Sequence, residues 1–350
     1  MRSLVFKVVG VLIVAGIIAL GWFWNDYQNF MTSPLNISEQ GFRYELKPGM
    51  NLTKLVKELA AQGIIKKPRY ILWYARLTGK ANHIQVGEYE LLKNDTPGDF
   101  IEKLLNGKVI QHVLTIVEGW NFKQMMDAVN NHESLSHTMK GKTGKEIMAA
   151  LGYPDEHPEG RFLPDTYHFP RGLTDIEFLK RAYEAMDKYL ASEWQNREVG
   201  LAVNTPYEAL ILASIVEKET GLASERRAIA GVFMRRLIKG MRLQTDPTVI
   251  YGMGERYKGN IRRRDLQQDT PYNTYRRSGL TPTPIAMPGR DAIHATLHPD
   301  ESDALYFVSR GDGSHHFSST LEEHNAAVIK YQLKGRKRPF SSFKNDDEKK

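Results

Sequence analysis

The 350-residue chain contains no cysteine. This absence excludes disulfide bonds, thiolate metal sites and a cysteine nucleophile, and it suits a reduced cytosol or a bacterial exterior equally. The chain also has no nucleic-acid-binding motif to match its formal net charge of +7. The charge itself permits attraction to nucleic acid, anionic lipid or an acidic polymer, so nucleic acid is set aside for lack of a motif. The length allows two or three domains with cores of their own.

An uninterrupted apolar run occupies residues 8–24 and ends in three aromatic residues. About 20 apolar residues cross a bilayer, a length that the run reaches when the apolar residues before it are counted. Arg2 and Lys7 precede the run, so residues 1–7 are expected in the cytoplasm and the remainder is expected to be exported. The alternative is a cleaved signal peptide, but no small-x-small cleavage site follows. The sequence therefore predicts a single retained transmembrane helix.

Two segments beyond a short polar spacer, 25–40, share one pattern. LKPGMNLTKLVKELAAQG begins at Leu46 and LKNDTPGDFIEKLLNG begins at Leu92, and each predicts a strand end, a turn and an amphipathic helix. Such units are similar to LysM-type glycan-binding modules, and they are also generic packing units, so the pattern leaves both interpretations open. We predict one small α/β subdomain over residues 41–110.

The stretch TPYEALILASIVEKETG, residues 205–221, predicts a buried helix. Thr205 can cap its start, and Pro206 fits the first helical position. Glu208 lies three residues after Thr205, which completes a capping box. Gly221 is expected to end the helix.

One acid of this helix, Glu219, lies on its apolar side. At about 100° per residue, it falls in the arc of Ile215 and Val216, whereas Lys218 points to the opposite side and Glu217 lies near the edge. Burial among apolar side chains disfavours the charged carboxylate, so the pKa of Glu219 should rise and the group can hold a proton near neutral pH. A general acid needs this property. The alternative is a structural ion pair with one of the arginines that follow.

The residues after this helix offer polar and aromatic groups. A further helix over residues 224–240 carries an arginine-rich side, interpreted as a solvated face. Periodicity fades over residues 241–289, and long irregular stretches inside a compact domain are commonly functional. Amides, hydroxyls and rings suit a sugar polymer, and they equally suit the turns of an ordered loop. These residues are Gln244, Thr245, Asp246, Thr248, Tyr251, Tyr272, Asn273, Thr274 and Tyr275.

Four motifs follow one another along the chain: ASIVEKET at 213–220, LQTDPTVIYG at 243–252, PYNTY at 271–275 and a final HHF…EHN. The chain thereby resembles the endolytic murein transglycosylases of the YceG-like (MltG) family, from the apolar run to about residue 333. EGRFLPDTY, which begins at Glu159, resembles a further family motif, although Arg161 stands where a bulky apolar residue is more usual. GLTPTPI, from Gly279, departs from the proline-glycine pattern expected there.

The resemblance implies an α+β fold with a single N-terminal transmembrane helix, a LysM-like α/β subdomain and a lysozyme-related catalytic domain, placed here at 111–333. The charged tail at 334–350 is expected to be disordered. The family's catalytic acid lies in EKET, and matching Glu-Thr to the Glu-Ser of other lytic transglycosylases selects Glu219 rather than Glu217. No cofactor or metal is expected. The substrate-binding candidates are Gln244, Asp246, Thr248, Tyr251, Asn273 and Tyr275.

The resemblance also implies an activity and a place in the cell. The enzyme would sit in the bacterial inner membrane, face the periplasm and cleave the MurNAc–GlcNAc β-1,4 bond within nascent peptidoglycan strands, leaving a 1,6-anhydroMurNAc end. Its expected neighbours are the peptidoglycan synthases, or penicillin-binding proteins. One alternative is an anchored, non-catalytic peptidoglycan-binding scaffold. Another is a metal-dependent hydrolase built on His294 and His298, which Pro299 and the lack of an accompanying glutamate weaken.

Overall fold

A computed structural model of the chain describes residues 2–47, 49–79 and 84–333. Met1 and the predicted disordered tail at 334–350 lie outside the described residues. The mixture of helices and strands confirms the predicted α+β class. The chain divides into two compact units, the first formed by Met1–His112 with His168–Leu173 and the second by Val113–Tyr167 with Thr174–Lys350.

The first unit begins with a 31-residue helix, α1 (Arg2–Thr32). Its segment Phe6–Thr32 is long and apolar enough to cross a membrane. A signal sequence shares this length and composition, so the retained anchor stays a prediction. The helix continues beyond the apolar run, and the residues predicted as a spacer therefore begin as helix.

Two strand–turn–helix units follow, as the repeated pattern predicts. β1 and β2 pair in antiparallel fashion, with Phe42 opposite Leu91 and Leu46 opposite Gly87. The helices after the two strands pack their apolar faces into one core. Resemblance of this unit to LysM modules stays a prediction. The elements are β1 (Phe42–Leu46), α2 (Leu52–Ala61), α3 (Pro68–Leu77), β2 (Gly87–Leu91) and α4 (Pro97–Leu105).

The second unit is mainly helical, and one helix, α8, lies at its centre. α8 packs against α7, α9, α10 and α12, whose apolar side chains form the largest core cluster described. β5 and β6 form an antiparallel hairpin. β3 pairs with β4, and each of these two strands has residues in both units. The elements are β3 (Gln111–Thr115), α5 (Phe122–Asn130), α6 (Gly144–Leu151), β4 (Thr166–Pro170), α7 (Asp175–Gln195), α8 (Pro206–Glu219), α9 (Arg226–Ile238), α10 (Asp246–Met253), α11 (Arg263–Gln267), α12 (Arg290–Leu297), β5 (Tyr306–Ser309), β6 (His315–Ser318) and α13 (Leu321–Tyr331).

The start of α8 lies where the sequence predicts it. The Thr205 hydroxyl accepts a hydrogen bond from the Glu208 backbone N at 3.1 Å, and Pro206 occupies the first turn. The Glu208 carboxylate accepts from the backbone N of Asn204 at 2.6 Å, which displaces the predicted capping box by one residue. Every residue from 209 to 216 is buried, so the apolar arc is part of a helix that is enclosed on all sides.

The end of α8 differs from the prediction. The helix stops at Glu219 because Thr220 adopts an extended conformation, with φ −139° and ψ 136°. Gly221 is therefore not the helix cap that the sequence predicts. The consequence is that Glu219 is the last helical residue, at the negative end of the helix dipole.

Three of the four arginines of α9 are largely buried, so they do not form the predicted solvated face, whereas Arg227 is exposed. Arg236 is 8% exposed, and its guanidinium donates to the carbonyl oxygens of Leu305 at 2.7 Å and Leu243 at 2.9 Å. Arg235 donates to the carbonyl oxygen of Ala304 at 2.7 Å. A guanidinium offers five donors, so these side chains fasten the segments before β5 and α10 onto α9.

Candidate active site

The carboxyl of Glu219 is held by a single hydroxyl from the next motif. Thr245 donates to Glu219 Oε2 at 2.6 Å. Burial raises the pKa of Glu219, the Thr245 hydrogen bond lowers it, the nearby charge of Asp246 raises it, and the charge of His315 lowers it. The residue as a whole is partly exposed, whereas its carboxyl is enclosed deeply enough for burial to be the largest of these effects.

The alternative of a structural ion pair is not realised in the described part of the chain. Arg226, the first arginine after the helix, pairs with Glu118, Glu217 and Asp291 instead of Glu219. Among the described residues Glu219 forms no ion pair, and His315, whose charge lowers its pKa, is paired with Glu225. A buried carboxyl without an ion pair is the arrangement that favours the protonated form.

Glu217, the other acid of the EKET motif, is tied into the scaffold. The backbone N of Gly289 donates to Glu217 Oε2 at 2.9 Å, and Arg226 lies 3.9 Å from its other oxygen. The residue as a whole is half-buried, as expected at the edge of the apolar arc, and its side chain is 7% exposed. Because Gly289 caps α12, Glu217 holds the start of that helix against α8.

A buried layer of threonine hydroxyls orients Thr245. The Thr248 hydroxyl donates to the carbonyl oxygen of Thr245 at 2.8 Å and lies 2.9 Å from the Thr274 hydroxyl. The backbone N of Thr245 donates to Thr274 Oγ1 at 3.1 Å. Thr245 stands at the N-cap of α10 without capping it, because its hydroxyl is directed to Glu219.

Three of the substrate-binding candidates lie around this layer. Gln244 has φ 52°, a left-handed conformation found for no other non-glycine residue among those described. Such backbone strain is common at functional sites and costs about 1–3 kcal/mol. The Tyr275 hydroxyl donates to Asp246 Oδ1 at 2.6 Å, and burial followed by the charge of Asp246 raises the pKa of Tyr275. With Thr248, these residues gather beside Glu219.

Asn273 and Tyr251 occupy other positions. Asn273 is fully buried, its Nδ2 donates to the carbonyl oxygens of Leu266 and Gln268 at 3.0 and 2.6 Å, and its Oδ1 accepts from the backbone N of Tyr275. This amide shapes its own loop, and its contact with a sugar stays a prediction. Tyr251 lies further along α10 and directs its hydroxyl to another acid.

That acid, Glu159, was not selected by sequence reasoning. It is 3% exposed, its Oε1 accepts from the Phe122 backbone N at 2.8 Å, and its Oε2 accepts from the Tyr251 hydroxyl at 2.9 Å. Burial raises the pKa of Glu159 from 4.5 to about 7, against the hydrogen bonds that lower it. The signal available in the sequence was the acid at the start of EGRFLPDTY.

Glu159 and Tyr251 line a cavity of about 1330 Å³ within the second unit. Binding pockets for small molecules measure about 300–1,000 Å³, so this cavity suits part of a polymer. Glu219 does not line it, but Lys218 and Pro247, which flank the Glu219–Thr245 pair in sequence, do. The cavity therefore reaches the sequence neighbours of this pair and not the buried carboxyl itself.

The histidine pair of the metal alternative lies elsewhere in the second unit. His294 Nδ1 is 2.8 Å and His298 Nε2 is 3.8 Å from Glu193 Oε2, and the ligand atoms all lie within 4.8 Å of one another. These ligand types fit zinc. Neither Glu219 nor the threonine layer belongs to this group.

Known sequences similar to this chain match it over most of its length. A sequence model of the YceG-like family matches residues 44–330. A protein of Bacillus subtilis strain 168 named endolytic murein transglycosylase is 32% identical, and the match covers 81% of this chain and 82% of that protein. A protein of the same name from Streptococcus pneumoniae strain D39 is 27% identical, with 93% of this chain and 65% of that protein covered. The chain thus spans about two thirds of the pneumococcal relative.

A solved structure has the same fold. The crystal structure of a yceG-like protein from Listeria monocytogenes is 30% identical and superposes with a TM-score of 0.53. The match covers 83% of this chain and 100% of the Listeria chain.

Proposed function

This chain belongs to the YceG-like family, and we propose that it is a membrane-anchored endolytic transglycosylase of murein with Glu219 as its acid. The names of the relatives support a murein transglycosylase, so the chain is an enzyme of the lytic transglycosylase class. The observation that carries the assignment of the acid is a buried carboxyl, held by Thr245 and without a cation partner among the described residues.

The proposed reaction uses one carboxyl in two successive roles. Protonated Glu219 donates its proton to the glycosidic oxygen between MurNAc and GlcNAc while positive charge develops at the muramic anomeric carbon. The N-acetyl carbonyl of the substrate stabilises that charge. Ionised Glu219 then removes the proton of the muramic C6 hydroxyl, and the C6 oxygen closes on the anomeric carbon to form the 1,6-anhydro ring. The proton is returned to Glu219, and no water is consumed.

The surroundings of Glu219 suit both roles. Burial and the charge of Asp246 favour the protonated acid that starts the reaction, whereas the Thr245 hydroxyl stabilises the carboxylate that follows. A pKa near ambient pH lets one group act as acid and then as base. Ordinary glycosidases divide these tasks between two carboxylates. The residues proposed to hold the glycan are Gln244, Asp246, Thr248, Tyr251, Asn273 and Tyr275.

The remaining parts of the chain are proposed to deliver the strand. Residues 8–24 anchor the protein in the bacterial inner membrane, residues 41–110 form a LysM-like subdomain that grips glycan, and residues 111–333 form a lysozyme-related catalytic domain in the periplasm. Cleavage within nascent strands, beside the synthases, would terminate or trim elongation.

The test is mass spectrometry of the products formed from uncrosslinked glycan strands by the full chain in detergent. Three proteins are compared: wild type, Glu219→Gln and Glu217→Gln. The second variant is a matched control, because Glu217 is also a buried acid of α8 with a raised pKa, and glutamine keeps the oxygen that accepts from Gly289. We expect anhydro-ended fragments from the wild type and Glu217→Gln, and none from Glu219→Gln.

Other outcomes point to the alternatives. Strand binding by folded wild-type protein without any product would favour a non-catalytic scaffold. Products with reducing ends would indicate hydrolysis, and their loss on chelation would indicate the metal-dependent route through the His294–His298–Glu193 group. Equal loss of activity in both variants would contradict the separate roles given to Glu217 and Glu219.

A further inference from the structure

We propose that the exposed side of α3, with Lys66 just before it, binds the headgroups of anionic phospholipids in the leaflet from which α1 emerges. The inference rests on the membrane anchoring in the proposed function and is independent of catalysis. It follows from two observations: the position along α1 at which α3 packs, and the positive charge on the exposed side of α3.

Contacts between side chains hold α3 against the end of the apolar run. The Phe23 ring meets the rings of Tyr70 and Trp73 edge-on, with centroids 5.5 and 5.7 Å apart. Asp26 accepts from Lys67 Nζ at 2.6 Å and from the Tyr70 hydroxyl at 2.7 Å. α3 therefore lies beside the residues of α1 that directly follow its most apolar part.

This level corresponds to the headgroup region of a bilayer. A hydrocarbon core of about 30 Å takes about 20 helical residues. A span that enters near Phe6 thus leaves the core close to Trp24. The polar headgroup region adds about 5–7 Å on each side, or about three to five more residues of helix. Asp26 lies inside this zone, and the exposed side of α3 is held there with it.

One face of α3 is left open at this depth. Arg69, Trp73 and Arg76 recur at spacings of four and three residues, so they form one stripe, opposite the buried Ile71 and Ala75. Trp73 contacts Phe23 with part of its ring and is still 39% exposed. Leu77, which continues the stripe, is 67% exposed. An exposed tryptophan beside long cationic side chains is typical of residues at a membrane interface.

The charge on this face is positive and largely uncompensated. Lys67 is neutralised by Asp26, whereas Lys66, Arg69 and Arg76 form no ion pair within the described residues. A depression of about 700 Å³ lies along the stripe, lined by Phe23, by α3 and by the two lysines before it. Lipid phosphate is the anion present at this depth, and arginine and lysine bind phosphate through charge-assisted hydrogen bonds.

The absence of cysteine permits a direct test with a single reporter. The full-length Leu77→Cys variant is labelled with a fluorophore at the new cysteine. It is then reconstituted into nanodiscs of phosphatidylcholine that contain phosphatidylglycerol. A nitroxide quencher is carried near the glycerol backbone of either lipid at equal mole fraction. A second reporter at Leu12→Cys, inside the apolar run, reports insertion of α1.

We expect spin-labelled phosphatidylglycerol to quench the Leu77→Cys reporter more than spin-labelled phosphatidylcholine does. Each basic residue near an anionic surface strengthens attachment roughly fivefold, so Arg69→Glu with Arg76→Glu should remove the preference. Lys54→Glu with Lys57→Glu is the matched control: it makes the same charge change on exposed positions of α2 and should leave the preference intact.

The remaining outcomes overturn the inference in distinguishable ways. Equal quenching by the two lipids, or a preference that persists in the Arg69→Glu, Arg76→Glu protein, would show that the arginines do not select lipid. Quenching at Leu12→Cys alone would place α3 away from the bilayer with the anchor intact. No quenching at Leu12→Cys would contradict the anchor itself. A reporter response to soluble acidic glycan strands, without lipid preference, would identify murein as the polyanion instead.

Discussion

The buried acid Glu159 should make the stability of the protein fall as the pH rises. Its carboxyl is enclosed, and burial raises its pKa from 4.5 to about 7. The folded protein therefore binds the Glu159 proton more tightly than the unfolded chain does. Stability is fully present below pH 4.5, where both states are protonated, and is lost as the pH rises towards 7. Glu159→Gln removes this titration.

The magnitude follows from the size of the shift. One pKa unit corresponds to about 1.4 kcal/mol, so the full effect on the free energy of unfolding is roughly 3 kcal/mol. Most of this loss in the free energy of unfolding, roughly 2–3 kcal/mol, occurs between pH 5 and pH 8. For a large domain, 1 kcal/mol moves the midpoint by about 2–4 °C, so the wild type should lose roughly 5–10 °C more than the variant across this range.

The assay is thermal unfolding in detergent at a series of pH values, monitored for the second unit by near-UV circular dichroism. Glu184→Gln is the matched control, because it makes the same chemical change at an exposed position of α7. It should follow the wild-type curve. Parallel curves for the wild type and Glu159→Gln between pH 5 and 8 would refute the reasoning, since they would mean that Glu159 titrates as in the unfolded chain.

Three further predictions follow from contacts in the second unit. Thr245→Val removes the hydrogen bond that lowers the pKa of Glu219, so the alkaline limb of the pH–activity profile should move to higher pH; an unmoved limb would contradict a titrating role for Glu219. Ser214→Ala leaves the backbone N of Ile285 without its buried acceptor, at 3.0 Å in the wild type, and should lower the free energy of unfolding by about 1–3 kcal/mol in denaturant titrations. Chelation should leave the yield of anhydro products unchanged, because the proposed reaction uses a single carboxyl; a loss restored by zinc would favour the metal-dependent alternative.

Local pattern was sufficient for the central helix and for the burial of the Glu219 carboxyl. A capping threonine, a proline at the first turn and an apolar run predict α8 almost to the residue, and helical periodicity places Glu219 among buried side chains. The same reasoning misplaced the end of the helix: Thr220 already has an extended conformation, and its hydroxyl accepts from the backbone N of Leu222. It also did not indicate the partner of Glu217, since Gly289 is far away in sequence.

Long-range partners account for the other differences. Arg236 is a charged residue in a charged run, and nothing in its neighbours indicates that it binds the carbonyl oxygen of Leu305 on a distant segment. Glu159 likewise lies in a loop without periodicity, and its burial depends on Phe122 and Tyr251 from two separate helices. Periodicity reports which side of an element is apolar, but it does not report which polar groups meet across the fold.

Helix α10 connects the two buried acids of the second unit. Thr245, at its N-cap, donates to Glu219, and Tyr251, six residues later, donates to Glu159. Six helical residues span about 9 Å, so one short and well-anchored element fixes both donors relative to each other. Tyr251 lines the cavity and Glu219 does not. The same short helix therefore fixes the distance between the donor to Glu219 and a residue that lines the cavity.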